Sequence, residues 1–453
     1  MTKSMTFGRP ISLILFFSLP VFLGQLFQQL YMISDLIIVG RYLGVASLAA
    51  LGGTVPIFVV LLMMSFGFTS GLCVIVAQRF GAQDAKGIRR SYATGLILSG
   101  IFAIISMGIC IPLLPVILHH MNVPDELFLL SQEFIGTLIW GIMGLVFYNY
   151  LSNVLRALGD SKTPLYFLIF SCVFNLFLNL VFIVYWDMGV KGSALGSVCA
   201  QIVSVFLCVT YMIVRYPVLR LKRDDFTIDR KFIWAHVRLG LPTALQFSVI
   251  GLGALVIQAV CNRFGMNAIA AMTAGLRVEQ LFTLPLMSLG PAMVVYAAQN
   301  FGACRIRRIR DGVRQGSLFS FLLSLLIATI VYVWGQKIIL LFLKNPDVEI
   351  ISLSHQYLKT TTLFYCFLGQ IFVFRQTLQG IGQPMVPLIS GFVELGMRIF
   401  GALILASTFG FAGLCYASPA AWIGGAIVVA IGYRYYERRL ACRCFLKRKK
   451  SSE

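Results

Sequence analysis

The chain has 453 residues, of which 58% are hydrophobic and 12% are charged, with a mean hydropathy of +0.87 and a formal net charge of +20. This composition supplies too little polar side chain to cover a soluble globule of that length, so it excludes a water-soluble protein and predicts a membrane protein. The eleven cysteines are scattered without a CxxC pair, which is typical of packing residues. We therefore expect no metal site and no cofactor.

Twelve apolar segments follow one another along the chain, each long enough to cross a hydrocarbon core about 30 Å thick. They span residues 11–40, 48–77, 92–118, 134–155, 165–186, 193–214, 239–261, 268–298, 317–343, 357–378, 385–408 and 411–433. Membrane strands would instead alternate apolar and polar residues over about ten positions. The continuous apolar runs therefore predict an all-α membrane protein.

The second half of the chain repeats the first at a shift of 221 positions. The recurring residues include Gln78 with Gln299, Phe80 with Phe301, Gly81 with Gly302, and Ala82 with Ala303. Six segments fall in each half, and an even number makes the repeats parallel. We place the halves at residues 1–214 and 239–433, the linker between them at 215–238, and a basic tail at 434–453. Such a duplication is typical of a transporter built around a central pathway.

The basic residues concentrate on alternate connections between the segments. Of the 37 Lys and Arg residues, 29 lie on the side that carries both chain ends, with Arg375 counted among them. Six lie on the opposite side, and Arg277 and Arg398 lie inside segments. By the positive-inside rule we expect both termini in the cytoplasm. The positive charge would contact anionic lipid headgroups, so we expect membrane lipids and no nucleic acid as partners.

Ionisable residues inside membrane segments are costly, and each is a candidate functional residue. Asp35 lies in the first segment, and the repeat-equivalent positions, Val256 and Ile257, carry no acid. A desolvated carboxyl that exchanges a proton or binds a cation near neutral pH is what gradient coupling requires. Pro20 lies earlier in the same segment and favours a kink there. The alternative for Asp35 is a water-exposed position at a helix end.

Two further acids lie inside segments. Glu394 and Arg398 are four positions apart, so we predict an internal, structural ion pair on one helical face. Glu279 is two positions from Arg277 and points in a different direction. It is a candidate cavity residue, with contact to a neighbouring helix as the equal alternative.

Neutral polar residues gather in the fourth to sixth segments. Asn175 and Asn179 are four apart and face one way. Candidate neighbours on adjacent helices are Asn149, Asn153, Ser197 and Gln201. Buried amides either join helices or line a wet cavity. Beside Asp35, we favour a hydrogen-bonded network in the first half.

Several of these stretches resemble the multidrug and toxic compound extrusion (MATE) transporter family. The matching stretches are residues 20–50 with Asp35, residues 155–160 before Pro164, residues 299–303, residues 379–382 before Pro384, and Glu394 with Arg398. The resemblance covers nearly the full length and depends on order, spacing and duplication. It implies twelve transmembrane helices in two parallel six-helix bundles with pseudo-twofold symmetry. It also implies a central cleft that opens alternately to either side of the membrane.

The resemblance implies roles for single residues as well. Asp35 and Pro20 match the family's first-helix coupling aspartate and kink proline, and Asn175 matches a fifth-helix asparagine of the same network. Asn179 stands where some members have an aspartate. The seventh and tenth segments lack the acids with which another branch binds cations, so we prefer protons to sodium as the coupling ion.

We therefore predict a secondary active transporter, and no enzyme, that exports organic or drug-like cations in antiport with protons. We expect a multi-pass protein of the cell membrane, specifically a bacterial inner membrane, that functions as a monomer. One alternative is a lipid-linked precursor flippase, whose cavity would need strong positive charge where only Arg277 and Arg398 are available. A channel is a further alternative. Another is an integral membrane enzyme, although we find no nucleophile or His-carboxylate constellation.

Overall fold

The computed structural model describes residues 4–121, 123–226, 229–341 and 347–450, apart from the side chains of residues 45, 55, 56 and 440–450. These residues form fifteen α-helices, and no strand occurs within the described ranges. The ends of the predicted halves and tail, residues 1–3 and 451–453, lie outside them, as do residues 227–228 of the predicted linker and 342–343 of the ninth predicted segment.

Seven helices form from the first half of the sequence. They are α1 Pro10–Tyr42, α2 Gly44–Gly81, α3 Ala85–His120, α4 Asp125–Trp140, α5 Ile142–Ala157, α6 Lys162–Leu180 and α7 Gly189–Arg215. A π-helical turn, Val181–Tyr185, continues α6. The axes of α4 and α5 are bent by 45° relative to each other.

Eight helices form from the second half. They are α8 Arg230–Cys261, α9 Met266–Gly302, α10 Ile306–Leu340, α11 Val348–Thr362, α12 Tyr365–Gly380, α13 Met385–Phe400, α14 Ala406–Cys415 and α15 Ala417–Lys450. A second π-helical turn, Gly401–Leu405, follows α13 as the first follows α6. The last helix continues from the twelfth predicted segment into the basic tail.

The backbone repeats along with the sequence. Left-handed residues recur 221 positions apart: Gly44 (φ 80°) with Gly265 (φ 87°), Gln83 (φ 58°) with Cys304 (φ 56°), and Gly189 (φ 59°) with Gly410 (φ 62°). Left-handed φ values are rare outside glycine, so chance does not account for three such pairs at one spacing. The duplication thus extends from residue types to the turns between helices.

Nine of the described helices or helix stretches are long and apolar enough to cross a membrane, and the bent pair α4 and α5 brings the number to ten. Twelve segments were predicted. The two that do not form one helix of this kind are residues 357–378, in α11 and α12, and residues 411–433, mostly in α15. Charged side chains such as Lys359 and Arg375 interrupt the first of these, and the second is divided between α14 and α15 at Tyr416.

Internal contacts divide the chain into two compact units. The first unit is Leu23–Ala244, and the second comprises Ser4–Phe22 together with the described residues from Leu245 onward. The start of α1 therefore belongs to the second unit and the rest of α1 to the first. In α8 the start belongs to the first unit and the rest to the second. Both divisions fall shortly after a proline inside the helix, Pro20 in α1 and Pro242 in α8. The linker 215–238 belongs to the first unit.

A small apolar cluster in the first unit fixes the helices that carry Asp35. Val39, one turn beyond Asp35 in α1, packs against Leu51 of α2, Ile183 of the π-helical turn and Val190 of α7. All four side chains are buried. This packing holds the end of α1 against the junction between α6 and α7, where the polar residues lie.

Candidate functional site

Asp35 is the centre of a hydrogen-bonded cluster within the first unit. Its side chain is half-buried, and its Oδ1 accepts a hydrogen bond from Asn179 Nδ2 at 2.6 Å and another from Ser193 Oγ at 3.2 Å. The donors belong to α6 and α7. One carboxyl oxygen therefore connects three helices.

The chain of hydrogen bonds continues away from Asp35. Asn179 Nδ2 also donates to Asn175 Oδ1 at 3.0 Å, and Asn175 Nδ2 donates to Ser197 Oγ at 3.1 Å. Ser197 Oγ in turn hydrogen bonds with the Tyr31 hydroxyl at 2.9 Å. Asn175 and Asn179 are 1% and 0% exposed. Buried amides of this kind need partners, and the network supplies them for every group except Asn179 Oδ1.

Helical spacing explains how the three helices build this cluster, which we call the Asp35 network. Each helix contributes two residues four positions apart: Tyr31 and Asp35 from α1, Asn175 and Asn179 from α6, and Ser193 and Ser197 from α7. Residues four apart lie one above the other on the same helical face. The network therefore consists of two hydrogen-bonded layers that lie one helical turn apart. One layer contains Tyr31, Asn175 and Ser197, and the other contains Asp35, Asn179 and Ser193.

Close approach of α6 and α7 depends on Gly196. A Cβ atom at this position would lie 2.2 Å from Asn179 Oδ1, so only glycine leaves room for the amide. The same oxygen is buried and hydrogen bonds with no described residue. The Asn179 amide is thus confined between α7 and Asp35, and it retains one free acceptor.

The Asp35 network contains four of the predicted residues and two that the sequence did not single out. Asp35, Asn175, Asn179 and Ser197 come together as a hydrogen-bonded network in the first half. Tyr31 and Ser193 were missed. Each lies four positions before a predicted member on the same helix, and that spacing would have identified them.

Three other candidates lie elsewhere in the first unit. Asn153 hydrogen bonds with Thr69 and Arg156, both at 3.3 Å. Asn149 is half-buried and hydrogen bonds with none of the described residues. Gln201 packs beside Gly144, at 3.6 Å from the position that a Cβ there would occupy. These three are not part of the Asp35 network.

Pro20 lies within α1, which is continuous across it, and belongs to the second unit. It is not a member of the Asp35 network. Its predicted role in bending α1 stays a prediction.

The predicted ion pair between Glu394 and Arg398 is wrong. Glu394 pairs instead with Arg375 of α12, and Ser390 hydrogen bonds with both partners. Arg375 is 4% exposed and lies within α12, so it belongs to the buried packing of the helices rather than to an exposed connection. A buried carboxylate takes the partner with the best geometry, here from a neighbouring helix, rather than the nearest one in sequence.

Glu279 and Arg398 both line a cavity of about 230 Å³ within the second unit. The Tyr357 hydroxyl donates a hydrogen bond to Glu279 Oε2, and Arg398 Nη1 donates to the Ile250 carbonyl at 3.0 Å. The other lining residues are Ala254, Ile257, Gln258, Leu276, Thr283, Met287, Tyr357, Leu368, Phe372, Ser418 and Trp422. The structure thus places Glu279 at a cavity and in contact with a neighbouring helix.

Known proteins are similar to this chain in sequence. A protein-family model described as MatE matches residues 20–181 and 242–404. The chain is 28% identical over 394 residues to the probable multidrug resistance protein YpnP of Bacillus subtilis (strain 168), with 86% of each chain covered. It is 22% identical over 403 residues to the multidrug export protein MepA of Staphylococcus aureus (strain MSSA476), with 88% of each covered.

Solved structures share the fold. One, described as an outward-facing conformation of a multidrug resistance MATE family transporter of the MOP superfamily, aligns with a TM-score of 0.88 at 23% identity, covering 98% of this chain and 99% of that one. A second, a MOP superfamily transporter from Pyrococcus furiosus described as having a binding pocket of reverse polarity, aligns with a TM-score of 0.87 at 23% identity, covering 97% of each. The predicted all-α fold is confirmed.

Proposed function

Because the chain belongs to the MatE family, we propose that it exports small organic, drug-like cations across the cell membrane in exchange for protons that bind at Asp35. The family consists of transporters, so the prediction that the chain is no enzyme is confirmed. The named relatives are multidrug resistance and export proteins, which supports a drug-like cargo.

The single observation that carries the proposal is the arrangement around Asp35. This carboxyl is the only ionisable acid in the Asp35 network as described, and two buried donors converge on one of its oxygens. A carboxylate accepts hydrogen bonds only, whereas a protonated carboxyl also carries a donor. Proton binding at Asp35 therefore changes which hydrogen bonds can hold α1, α6 and α7 together.

The affected helix is suited to transmit that change. Asp35 lies in the part of α1 that belongs to the first unit, while Pro20 and the residues before it belong to the second. Proline removes one backbone hydrogen bond and lowers the resistance of a helix to bending. We propose that protonation of Asp35 alters the course of α1 and so releases the cargo outside.

A proton is favoured over sodium because the network offers a single carboxylate. Asn179 is neutral where some members have an aspartate, and bare cations bind best where several charged or carbonyl oxygens converge. Sodium is the alternative coupling ion, and we propose no cofactor.

The remaining parts of the proposal concern the membrane. Basic residues on alternate connections support cytoplasmic termini in a bacterial inner membrane and contact with anionic lipids. Each chain contains both repeats, which supports function as a monomer. Against a lipid-linked precursor flippase, the second-unit cavity is lined by one arginine and one glutamate, so it does not concentrate positive charge.

Substitution of Asp35 tests the proposal. Asp35→Asn keeps the size of the side chain and removes its ability to ionise, so we expect gradient-driven efflux of a fluorescent cationic dye from intact cells to be abolished at normal expression. Asp187→Asn is the matched control, because Asp187 is an exposed aspartate of the same unit that lies outside the network. Efflux that persists in Asp35→Asn at the level of this control would refute the role of Asp35.

A further inference from the structure

The segment that precedes α1 is bound through its backbone by side chains of the second unit. The Met5 N–H donates a hydrogen bond to Gln299 Oε1 at 2.8 Å, and the Met5 carbonyl accepts one from Asn300 Nδ2 at 3.1 Å. Arg308 Nη2 donates to the same carbonyl at 3.4 Å. Met5 is 2% exposed, and buried backbone groups outside a helix need such partners. Residues of α9 and α10 therefore satisfy both polar groups of the Met5 backbone.

Arg305 extends these contacts to the next two residues. Its Nη1 donates a hydrogen bond to the Thr6 carbonyl at 2.5 Å, and its guanidinium lies over the Phe7 ring, 4.2 Å from the ring centre. A guanidinium that donates to a carbonyl forms a stronger hydrogen bond than a neutral donor does. Arg308 Nε also donates to Asn300 Oδ1 at 3.1 Å, so the side chains around the segment hold one another in place.

Gln315 holds the first turn of α1. The first N–H groups of a helix have no partner inside that helix, and a side chain commonly supplies one. Here the Ile11 N–H donates to Gln315 Oε1 of α10 at 3.0 Å. Ile14 and Phe17 are buried and pack, together with Met5, in a cluster of buried residues from α9, α10, α12 and α15. The start of α1 is therefore part of the core of the second unit.

The other end of α1 is held by the first unit. Asp35 accepts hydrogen bonds from α6 and α7, and Val39 packs against the junction of those two helices. The division between the units falls between Phe22 and Leu23, shortly after Pro20. Each end of α1 is thus fixed by a different unit, and the turn that the proline weakens lies between the two ends.

The second half of the chain repeats this arrangement with different chemistry. The segment before α8 is held by the first unit through two ion pairs, Asp225 with Arg89 at 3.3 Å and Asp229 with Arg90 at 3.2 Å. The helix α8 then continues past Pro242 into the second unit. The same arrangement built twice from unrelated contacts supports a function for holding the start of the first helix of each half.

We propose that the side chains that hold the start of α1 are positioning residues, which convert proton binding at Asp35 into a bend of α1. We call them the α1 anchor, and they are Gln299, Asn300, Arg305, Arg308 and Gln315. When the start of α1 is fixed, a change in the hydrogen bonds at Asp35 must be absorbed near Pro20. When the start is loose, α1 shifts as a whole and the change does not reach the cargo. The inference rests on the proposed function, because it identifies the fixed end of the helix that the proposed coupling bends.

Equilibrium binding of a fluorescent cationic dye to the purified full-length protein in detergent tests the inference. The affinity is measured at about pH 8.5 and about pH 5.5, on either side of the range in which a desolvated carboxyl exchanges its proton. We expect the wild type to bind at least about tenfold more tightly at the higher pH, since two coupled ligands typically change each other's affinity by about 5- to 150-fold. The other members of the Asp35 network are amides and hydroxyls, so Asp35→Asn should remove this dependence on pH.

Replacing the two arginines loosens the α1 anchor. Arg305→Ala combined with Arg308→Ala should reduce the ratio of the two affinities to about twofold or less, because the coupling is lost. The matched control is Arg307→Ala combined with Arg314→Ala, which removes the same charge from two exposed positions and should retain the wild-type ratio. A purely structural role would lower the thermal unfolding temperature without changing the ratio. A wild-type ratio in the anchor variant would therefore overturn the inference.

Gln315 provides a second test that removes no charge. Gln315→Leu deletes the acceptor for the Ile11 N–H, whereas Gln315→Glu keeps an oxygen acceptor on a side chain of the same length. We expect the ratio to fall in Gln315→Leu, by less than in the double arginine variant, and to keep its wild-type value in Gln315→Glu. If the double arginine variant does not fold, this pair decides, and equal ratios in the two variants contradict the role of the anchor.

The results separate this inference from the proposed coupling. A ratio that depends on Asp35 but is the same in the wild type and in the anchor variants would refute this inference alone. A ratio that Asp35→Asn leaves unchanged would refute the proposed coupling, and the inference would fall with it.

Discussion

The two units carry different chemistry at equivalent positions of the same repeat. Ser197 in the Asp35 network corresponds to Ser418, which lines the second-unit cavity, and the counterpart region of Asp35 contains Ile257, which lines it too. In the first unit the polar side chains around Asp35 and Ser197 hydrogen bond with one another. In the second unit the equivalent positions line the cavity, which also contains the charged side chains of Glu279 and Arg398. Duplication has thus preserved the backbone, whereas the side chains give each copy its own chemistry.

The largest effect should come from breaking the buried ion pair of the second unit, which has no counterpart in the Asp35 network. Arg375→Leu leaves the Glu394 carboxylate, 3% exposed, without its partner. We expect a loss of about 3–5 kcal/mol in the free energy of unfolding, because an uncompensated charge remains buried. The measurement is the thermal unfolding temperature of the detergent-solubilised protein.

A double substitution is the control for this prediction. Arg375→Leu combined with Glu394→Met removes both charges, and we expect it to be more stable than Arg375→Leu alone. If the double variant is equally destabilised, lost packing rather than the unpaired charge explains the effect.

An intermediate effect is expected in the first unit from Gly196→Ala. The new Cβ would lie 2.2 Å from Asn179 Oδ1, so the amide must move and its hydrogen bond to Asp35 weakens. The initial rate of gradient-driven dye efflux should fall, but less than in Asp35→Asn. Gly108→Ala is the control, because a Cβ there meets no atom within 4 Å. Equal rates in the two variants would show that the position of the Asn179 amide does not matter for transport.

The smallest effect is expected at the far end of the network. Tyr31→Phe removes only the hydrogen bond to Ser197, and the net contribution of one such bond is about 0.5–1.5 kcal/mol. We expect gradient-driven efflux to continue at a modestly reduced rate. Tyr166→Phe, at an exposed tyrosine of α6, should have no effect on that rate. Complete loss of efflux in Tyr31→Phe would mean that the Tyr31 hydroxyl itself is essential.

The sequence predicted the parts of the molecule that helical periodicity determines. The apolar segments and the 221-residue repeat predicted the all-α architecture, and the four-residue spacing of Asn175 and Asn179 predicted that both face one way, within a network beside Asp35. Polar residues are rare inside membrane segments, so those present were recognisable. Tyr31 and Ser193 were missed because tyrosine and serine are tolerated in membrane helices without a special role.

Contacts between distant helices could not be derived from the sequence. Glu394 and Arg398 have the spacing of an ion pair, yet the partner of Glu394 is Arg375, 19 positions earlier and on another helix. Only the packing of α12 against α13 and α15 shows which arginine is close enough. The cavity at Glu279 was likewise indeterminate, because its walls come from six helices.

The measurement that tests proton coupling most directly is dye transport by purified protein in liposomes, with a proton gradient or a sodium gradient imposed one at a time. We predict that a proton gradient alone drives uphill transport in the wild type and in Asp187→Asn, and that it drives none in Asp35→Asn. Transport that is indifferent to the proton gradient, or that a sodium gradient alone drives at the full rate, would contradict the account.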